Sequence, residues 1–462
     1  MKATKTCTQD AIRKEIRDIL PELRGQLAEY IAIPSISREF GGDLREMDRA
    51  LNWVEAYMRE LDFSVERIYQ GSGAFLIGRN KHHSDRPSVL LYGHADVYPV
   101  AGQDWSTDPW TLADCKDYYG LSAWRGRGTA DNKGQTLAVL AALRLLSPEI
   151  PVNVTMLLES QEETGSPDLK DFLDTHRDLL KCDLLLGTDG FRHFSRLPTI
   201  FLGFRGCLRI TLTCPGAGRD IHSGNFGGVV PNPTARLANG LSTLFDPDGN
   251  CLLPGFYSVE IPENIRPVLS SIPNPENYFR NKLGLKNFAG DSFFTLNERL
   301  YALPTLTITG VSSGKADSGP RNVIPGDAVA YVDCRSVPGQ DWRRVPEMIR
   351  EALDEAGHRG IEIESHCLYE PSRTDPSNFW VQRVVHSLAD CHEGDPCLLP
   401  NSGASLGNNF FQDLLGLPTI WFPIAQPDNN QHGADEHLSL KEFSEGILSL
   451  YWILTDLGKA KK

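Results

Sequence analysis

The chain has 462 residues, of which 40% are hydrophobic and 23% are charged, and its formal net charge at pH 7 is −14. This composition is typical of a globular protein, and the length exceeds what one hydrophobic core usually serves, so we expect two domains or one domain with a large insertion. The negative charge, together with the lack of any Lys/Arg run, excludes nucleic acid and acidic membrane surfaces from the expected partners.

The N-terminal segment and the cysteines indicate the compartment. Residues 1–7 are polar and lead into charged residues, which is unlike a secretory signal, and no apolar stretch reaches the ~18 residues that a membrane helix needs. The ten cysteines are scattered and include no Cys-x-x-Cys pair. We therefore expect a cytoplasmic protein with reduced, mostly buried thiols and no zinc–thiolate site.

Helix and strand patterns alternate through the first 204 residues. Apolar residues at helical spacing predict helices at 11–33, with a kink or break at Pro21, and at 43–61, 135–147 and 168–180. Short apolar runs bounded by turn-forming residues predict strands at 74–78, 88–93, 152–158 and 182–187. This alternation predicts an α/β layer with a mainly parallel sheet, in which ligands bind at the carboxyl ends of the strands.

The pattern changes from residue 205 to residue 378. Strands are expected at 207–213, 306–310, 328–333 and 361–365, helices at 234–244 and 342–356, and an irregular, partly helical segment at 246–300. A helix at 379–390 and a strand at 418–422 then resume the α/β pattern. We therefore predict one α/β domain, formed by residues 1–204 and 379–462, that is interrupted by an α+β domain of residues 205–378.

Candidate metal ligands follow the predicted strands of the first part. They are His94 and Asp96 after the strand at 88–93, Glu162 and Glu163 after 152–158, and Asp189 after 182–187. Taken singly, each is also consistent with a polar strand end or a solvated acidic turn. Their shared position at strand ends favours one common site.

Two further candidates lie outside these strands. Asp131 lies in a loop with glycines at 126, 128 and 134, just before an apolar helical run, and glycines allow a backbone to approach an ion closely. A plain turn before a helix has the same composition. His432 and His437, after the last predicted strand, are candidates for a fifth ligand, although a lone surface histidine is the commoner case.

These residue types suit a pair of divalent ions. Such a pair needs a bridging carboxylate plus histidine and carboxylate ligands on each side, and it can activate a water and polarise a carbonyl. Nitrogen and oxygen ligands favour Zn²⁺ or Mn²⁺ over copper(I) or iron–sulfur chemistry. Asp96 can hold the ring of His94 in place. Because Glu162 and Glu163 are adjacent and face different directions, one can bind an ion while the other accepts a proton from water.

Taken together, the motifs resemble the M20 family of metallopeptidases, which includes carboxypeptidase G, aminoacylase-1, succinyl-diaminopimelate desuccinylase and the carnosinase-like dipeptidases. The matching motifs are Gly93-His94-Ala95-Asp96-Val97, the segment 126–134, Glu162-Glu163-Thr164-Gly165-Ser166, Asp189 and His432. The segment 105–110 is also similar to the family. The resemblance covers nearly the whole chain, and it depends on the order of the motifs more than on any one of them.

The resemblance implies an α/β fold with a di-metal hydrolase domain, whose mainly parallel sheet is flanked by helices, plus an inserted α+β lid and dimerisation domain. It implies two divalent ions, Zn²⁺ or Mn²⁺, held by His94, Asp131, Glu163, Asp189 and His432. Asp131 would bridge the ions, with His94 and Asp189 completing one and Glu163 and His432 the other. Glu162 would be the general base, assisted by Asp96 beside His94. The Asp131–Asn132 peptide bond would be cis.

The resemblance also implies roles for residues of the insert. His222, in the segment 220–228, would reach the site of a neighbouring subunit and stabilise the oxyanion, which implies a homodimer with the insert at its interface. Arg335 would bind the substrate carboxylate, and Asn322 and Ser405 would contact the substrate. For Arg335 or Asn322 alone, a structural role is the alternative. Asn401 stands where relatives carry an arginine, and we expect this to alter the preference on the acyl side.

The expected function is di-metal-dependent hydrolysis of an amide bond in a small, carboxylate-bearing substrate, with dipeptides as the first candidate. The alternative enzyme class is an N-acyl or N-carbamoyl amino acid hydrolase. A different class stays open as well, namely a non-catalytic binding relative or a protein that processes one specialised amide in biosynthesis.

Overall fold

The structure is a computed structural model that describes residues 9–314, 319, 321–392 and 394–460. Its α-helices in this part of the chain are α1 (Gln9–Ile31), α2 (Leu44–Glu60), α3 (Lys133–Leu146), α4 (Leu169–Thr175), α5 (Ser223–Phe226), α6 (Pro233–Leu244), α7 (Arg266–Ser271), α8 (Glu276–Leu283), α9 (Leu296–Tyr301), α10 (Val345–Glu355), α11 (Phe379–His392), α12 (Asn408–Leu415) and α13 (Leu440–Leu457).

The strands of the first 204 residues are β1 (Ser64–Gln70), β2 (Gly73–Arg79), β3 (Ser88–His94), β4 (Ala113–Lys116), β5 (Ser122–Arg125), β6 (Asn153–Glu159), β7 (Leu184–Gly187), β8 (Thr199–Phe201) and β9 (Gly203–Phe204). Later strands are β10 (Gly206–Pro215), β11 (Ile221–His222), β12 (Thr305–Ser312), β13 (Val323–Ile324), β14 (Asp327–Ser336), β15 (Glu362–Tyr369), β16 (Ser372–Arg373), β17 (Cys397–Leu399), β18 (Thr419–Trp421) and β19 (His437–Ser439).

The largest sheet has the order β1-β2-β6-β3-β7-β18-β8-β17. Its centre is parallel, because β3 runs parallel to β6 and β7, and β7 runs parallel to β18. Antiparallel pairs join β1 to β2 and β2 to β6, and β18 to β8. The sheet is therefore mixed: the predicted parallel centre is present, and the tight turn between β1 and β2 adds an antiparallel hairpin that needs no crossover helix.

Helices cover both faces of this sheet. Val89 and Leu91 of β3 face a core formed with α1, α2, α3, α11 and α13, whereas Leu90 and Tyr92 face a second core formed with α4 and α12. Successive side chains of a strand point to opposite faces, so one apolar run serves both cores. The expected α/β fold with a helix-flanked sheet is confirmed.

The insert contains an antiparallel sheet of order β12-β14-β10-β15. The inward side chains of β10, such as Ile210 and Leu212, pack in a third core with α6 and α10. The opposite face includes exposed residues such as Arg209. This alternation of buried and exposed residues is what the sequence pattern of the strand predicted. The placement of the domain boundaries at 204/205 and 378/379 stays a prediction.

Two local predictions differ from the structure. Helix α1 continues through Pro21, so a break at this residue is wrong, whereas a kink there stays a prediction. Pro21 lies on the exposed side of α1, where solvent can satisfy the carbonyl that loses its partner. The predicted helix at 168–180 divides into α4 and a 3₁₀ turn, Arg177–Leu180. Within the described residues, no helix combines the length and the apolar character needed to cross a membrane.

Candidate metal centre

Three neighbouring strands bring the predicted ligands to one edge of the large sheet. Strands β6, β3 and β7 are adjacent and parallel, so their carboxyl ends lie together. His94 is the last residue of β3, and Asp189 follows β7 by two residues. Glu162 and Glu163 begin a one-turn 3₁₀ helix just after β6. The fold therefore brings these side chains together at the carboxyl ends of the strands, which is where the sequence pattern predicted them.

Asp131 and His432 complete this arrangement from outside the strands. Asp131 Oδ1 lies 3.0 Å from His94 Nε2, and its Oδ2 lies 3.2 Å from His432 Nε2. The Nε2 atom of His432 is also 2.8 Å from Glu163 Oε2. Each oxygen of Asp131 thus faces a different histidine. The Asp131–Asn132 peptide bond is cis, as expected.

We refer to six residues as the carboxylate–histidine cluster: His94, Asp131, Glu162, Glu163, Asp189 and His432. Of the two late histidine candidates, only His432 belongs to it, because His437 lies on β19 with its Nε2 atom 3.9 Å from Asp428. Ligand atoms of His94, Asp131 and Glu163 lie within 4.8 Å of one another, and so do those of His94, Glu162 and Asp189. The division of ligands between two ions stays a prediction.

The electrostatics of the cluster show an excess of buried negative charge. Burial raises the pKa of Glu162 well above its ordinary value, and the charges of Asp189 and Glu163 act in the same direction. Burial likewise raises the pKa of Glu163 to about 7 and that of Asp189 to about 6. Partial burial alone would lower the pKa of His432, but Asp131 and Glu163 raise it to about 11. Carboxylates in such a site need positive charge from another source.

Divalent cations would supply the positive charge that the carboxylates of the cluster need. Both oxygens of Glu163 are buried. Within the described residues Oε1 has no hydrogen-bond partner, and Oε2 lies 2.8 Å from His432 Nε2 without the geometry of a hydrogen bond. The available ligand atoms are carboxylate oxygens and imidazole nitrogens, a set that suits borderline and hard divalent ions. The residues present therefore fit the binding of divalent metal ions.

Asp96 supports the cluster from behind His94. The Nδ1 atom of His94 lies 3.0 Å from the Asp96 carbonyl oxygen and 3.3 Å from its Oδ1. The Asp96 carboxylate accepts hydrogen bonds from Ser37 Oγ (2.7 Å) and from the backbone N–H groups of Glu162 (3.1 Å) and Glu163 (3.0 Å). One buried carboxylate thus orients the imidazole and holds the turn that carries both glutamates.

Glu436 is a site residue that the sequence reasoning missed. Its Oε1 accepts the backbone N–H groups of Ala130 (2.8 Å) and Asp131 (2.9 Å), and its Oε2 accepts from Gly128 N (2.9 Å) and Arg127 (2.7 Å). This fully buried carboxylate holds the glycine-rich loop and so positions Asp131. In the sequence, Glu436 is distinguished only by its position in the same segment as His432, and an acidic turn on the surface would have the same composition.

Arg335 and Ser405 lie next to each other, although they are 70 residues apart in the chain. Arg335 donates from a terminal nitrogen to Ser405 Oγ at 2.8 Å and from Nε to Asp333 Oδ2 at 2.6 Å. Asp333 therefore holds the guanidinium in place. Such a fixed planar group can bind a carboxylate through two parallel hydrogen bonds.

His222 ends strand β11, which pairs with β13, and Asn322 is the residue just before β13. His222 Nδ1 accepts from Asn225 N at 3.2 Å, and the Asn322 carbonyl accepts from Ser223 N at 2.9 Å. Both residues are exposed. No hydrogen bond or ion pair joins either of them to the carboxylate–histidine cluster within the described part of the single chain.

Asn401 is a structural residue in this fold. It is fully buried, and its side-chain amide donates to the carbonyl oxygens of Phe204 and Ser372, each at 3.1 Å. Its Oδ1 accepts from Arg373 at 3.1 Å. The chain thus places the guanidinium of Arg373 beside Asn401, where the family resemblance implied an arginine, so positive charge is still present in this region.

Comparisons with known proteins give one consistent result. Residues 90–456 match peptidase family M20/M25/M40. A Cys-Gly metallodipeptidase from Candida albicans is 24% identical over 96% of this chain and 96% of that protein. A β-Ala-His dipeptidase from Rattus norvegicus is 26% identical over 94% of this chain and 92% of that protein. The solved structure of an M20 family metallo-carboxypeptidase from Sulfolobus solfataricus superposes with a TM-score of 0.83, at 27% identity, over 95% of this chain and 100% of that one.

Proposed function

The chain belongs to peptidase family M20/M25/M40, as the order of its motifs predicted, and we propose that it is a metal-dependent dipeptidase. The Cys-Gly and β-Ala-His dipeptidases among its relatives support a dipeptide substrate. The observation that carries the proposal is the carboxylate–histidine cluster at the carboxyl edge of the sheet, where Asp131 faces two histidines. The net charge of −14 supports a small peptide rather than nucleic acid as the substrate.

The proposed metal ligands are the five predicted residues: His94, Asp131, Glu163, Asp189 and His432. When bound there, two divalent cations, Zn²⁺ or Mn²⁺, supply Lewis acidity, which polarises the scissile carbonyl and makes water more acidic. Asp131 would be shared between the two positions, because its two oxygens face different histidines.

The chain's own groups would move the proton and hold the substrate. Glu162 would accept the proton of the attacking water and then protonate the leaving amine. Arg335, fixed by Asp333, would bind the substrate carboxylate beside Ser405. Asn322, just before β13, would contact the substrate. Asp96 would keep His94 in the orientation that ligation needs.

Metal removal and a substrate panel test this proposal. The chelator-treated protein should lose dipeptide hydrolysis, and adding Zn²⁺ or Mn²⁺ should restore it, as measured by release of free amino acids. The panel compares dipeptides with N-acyl and N-carbamoyl amino acids, each with a free or an amidated carboxylate. Turnover of the acylated compounds alone would favour the alternative hydrolase class, and binding without turnover of any compound would favour a non-catalytic relative.

We further propose that the protein is a cytoplasmic homodimer in which the inserted domain, residues 205–378, forms both the lid and the interface. His222 is exposed and has no bond to the cluster of its own chain within the described residues. Apolar side chains of the insert are exposed as well, among them Val229 (82%) and Val311 (58%). A partner subunit would cover such side chains and bring its His222 to the oxyanion.

Mixed dimers test the role of His222. His222→Ala should lower kcat about 10²–10³-fold, because an oxyanion donor is lost. Mixing this variant with a Glu162→Gln variant and allowing subunits to exchange should restore activity, since one site of the mixed dimer then has both an intact Glu162 and the partner's His222. If the mixture is no more active than the separate variants, although exchange is shown by mass spectrometry, His222 acts within its own chain.

A further inference from the structure

A cavity of about 290 Å³ opens directly beside the carboxylate–histidine cluster. Asp131, Glu162, Asp189 and His432 line one end of it. Its size is close to the lower end, about 300 Å³, of sites that hold small molecules. The cavity therefore lies where part of a substrate must sit when its scissile bond reaches the cluster.

Phenylalanines line the other walls of this cavity. Phe191 and Phe194 are half-buried and follow Asp189 on the same loop, and Phe201 and Phe204 are buried on strands β8 and β9. The ring of Phe194 is supported from behind by Tyr278 and Phe279, each with a centroid distance of 4.8 Å. These contacts hold the ring of Phe194 in place, and the four phenylalanines together give the cavity an apolar surface.

The polar residues of these walls add no unpaired charge. Arg192 is fully buried and pairs with Glu445 at 2.7 Å. His193 is buried, its Nδ1 accepts the backbone N–H of Ser195 at 3.1 Å, and burial lowers its pKa to about 4, so its ring is neutral near pH 7. Outside the cluster itself, the lining residues are mainly aromatic and aliphatic, and the remaining polar ones, such as Ser402, Ser405 and Gln431, carry no charge.

We infer that this cavity, called here the aromatic subsite, receives one large apolar side chain of the substrate, so that the enzyme prefers dipeptides with a bulky apolar residue. This inference rests on the proposed dipeptidase function. Ser405, which also lines the cavity, contacts Arg335, the proposed carboxylate anchor. One substrate can therefore span the anchor, the cluster and the aromatic subsite. A charged side chain would lose its hydration there without gaining a partner.

Matched dipeptides test the inference. The metal-loaded enzyme is assayed with Ala-Ala, Phe-Ala, Ala-Phe, Asp-Ala and Ala-Asp, which separates the two substrate positions. At one position, Phe should raise kcat/KM at least about tenfold over Ala, because each methylene in an apolar pocket is worth roughly 10–200-fold. Asp at that position should lower it below the value for Ala. Equal values for Phe, Ala and Asp at both positions overturn the inference, while the dipeptidase proposal stands. No hydrolysis of any dipeptide overturns both.

Two variants locate the preference in the structure. Phe194→Ala removes part of the wall and should reduce the ratio of kcat/KM for Phe over Ala at least about tenfold. Ala404→Phe, at an exposed lining position, should reduce the same ratio by filling the cavity. This variant still tests the inference if Phe194→Ala fails to fold. Phe379→Ala is the matched control, because Phe379 is 54% exposed on α11 and outside the cavity, and it should leave the ratio unchanged. If both lining variants keep the ratio of the native protein, the inference is wrong.

Discussion

Replacing Glu162 with Gln should lower kcat at least about 10²–10⁴-fold while the protein still binds its metal ions. The reason is that the amide keeps the shape of the side chain but cannot accept a proton from water. Glu162 has the position for this task, because its Oε2 lies inside the cluster, 4.0 Å from His94 Nε2. Steady-state kinetics and metal analysis of the same preparation give the two required measurements.

Two further glutamates serve as controls for this experiment. Glu163→Gln should lose metal as well as activity, because Glu163 is a proposed ligand whose buried oxygens have no well-formed hydrogen bond among the described residues. Glu66→Gln, on the exposed strand β1, should change neither property. Activity that survives in Glu162→Gln would show that another group is the base, and loss of metal in that variant would place Glu162 among the ligands.

Replacing Asp131 with Ala should remove both activity and paired metal occupancy. Each Asp131 oxygen faces a different histidine, so this one substitution should take a ligand from both ions if Asp131 bridges them as proposed. The loop itself should persist, because Glu436 holds it through the backbone N–H groups of Gly128 and Ala130. Metal analysis of the purified variant should find no pair of ions per chain, and circular dichroism should match that of the native protein.

Asp189→Ala is the matched comparison for Asp131→Ala. Asp189 is proposed to serve one ion alone, so its loss should weaken one position and leave the other occupied. Two ions retained in Asp131→Ala would contradict the bridging assignment. The same metal content in both variants would contradict the proposed division of ligands.

The strands that carry the site could be predicted from local patterns. The apolar runs at 88–93 and 152–158 correspond to β3 and β6, and each ends in polar, metal-binding residue types. A buried parallel strand needs apolar residues on both faces, so this signal is strong in a single sequence. By contrast, strands β1 and β17 were not predicted. Strand β1 pairs with its neighbour β2, but it is partly exposed and rich in polar residues, so it has no apolar run to mark it. Strand β17 has only three residues and pairs with β8, which is about 200 residues away in the chain.

Pro21 shows the same limit for helices. A proline inside an apolar period predicts a kink or a break, yet α1 runs from Gln9 to Ile31 without a break. The packing of α1 against α3 and α13 along most of its length stabilises the helix beyond the cost at one exposed turn. Tertiary contacts, which the local sequence does not reveal, outweigh the local preference.

The sequence by itself determined the family of this protein and the types and order of its proposed ligands and proposed base, because these depend on which residues follow each strand. Only the tertiary structure decided how they are held and what lies beside them. Glu436 reaches the Asp131 loop from about 300 residues away, and Phe194 and Phe204 meet around one cavity. The support of the Asp131 loop and the shape of the cavity both depend on contacts between segments that are distant in the chain. Tertiary packing decides which of these segments meet.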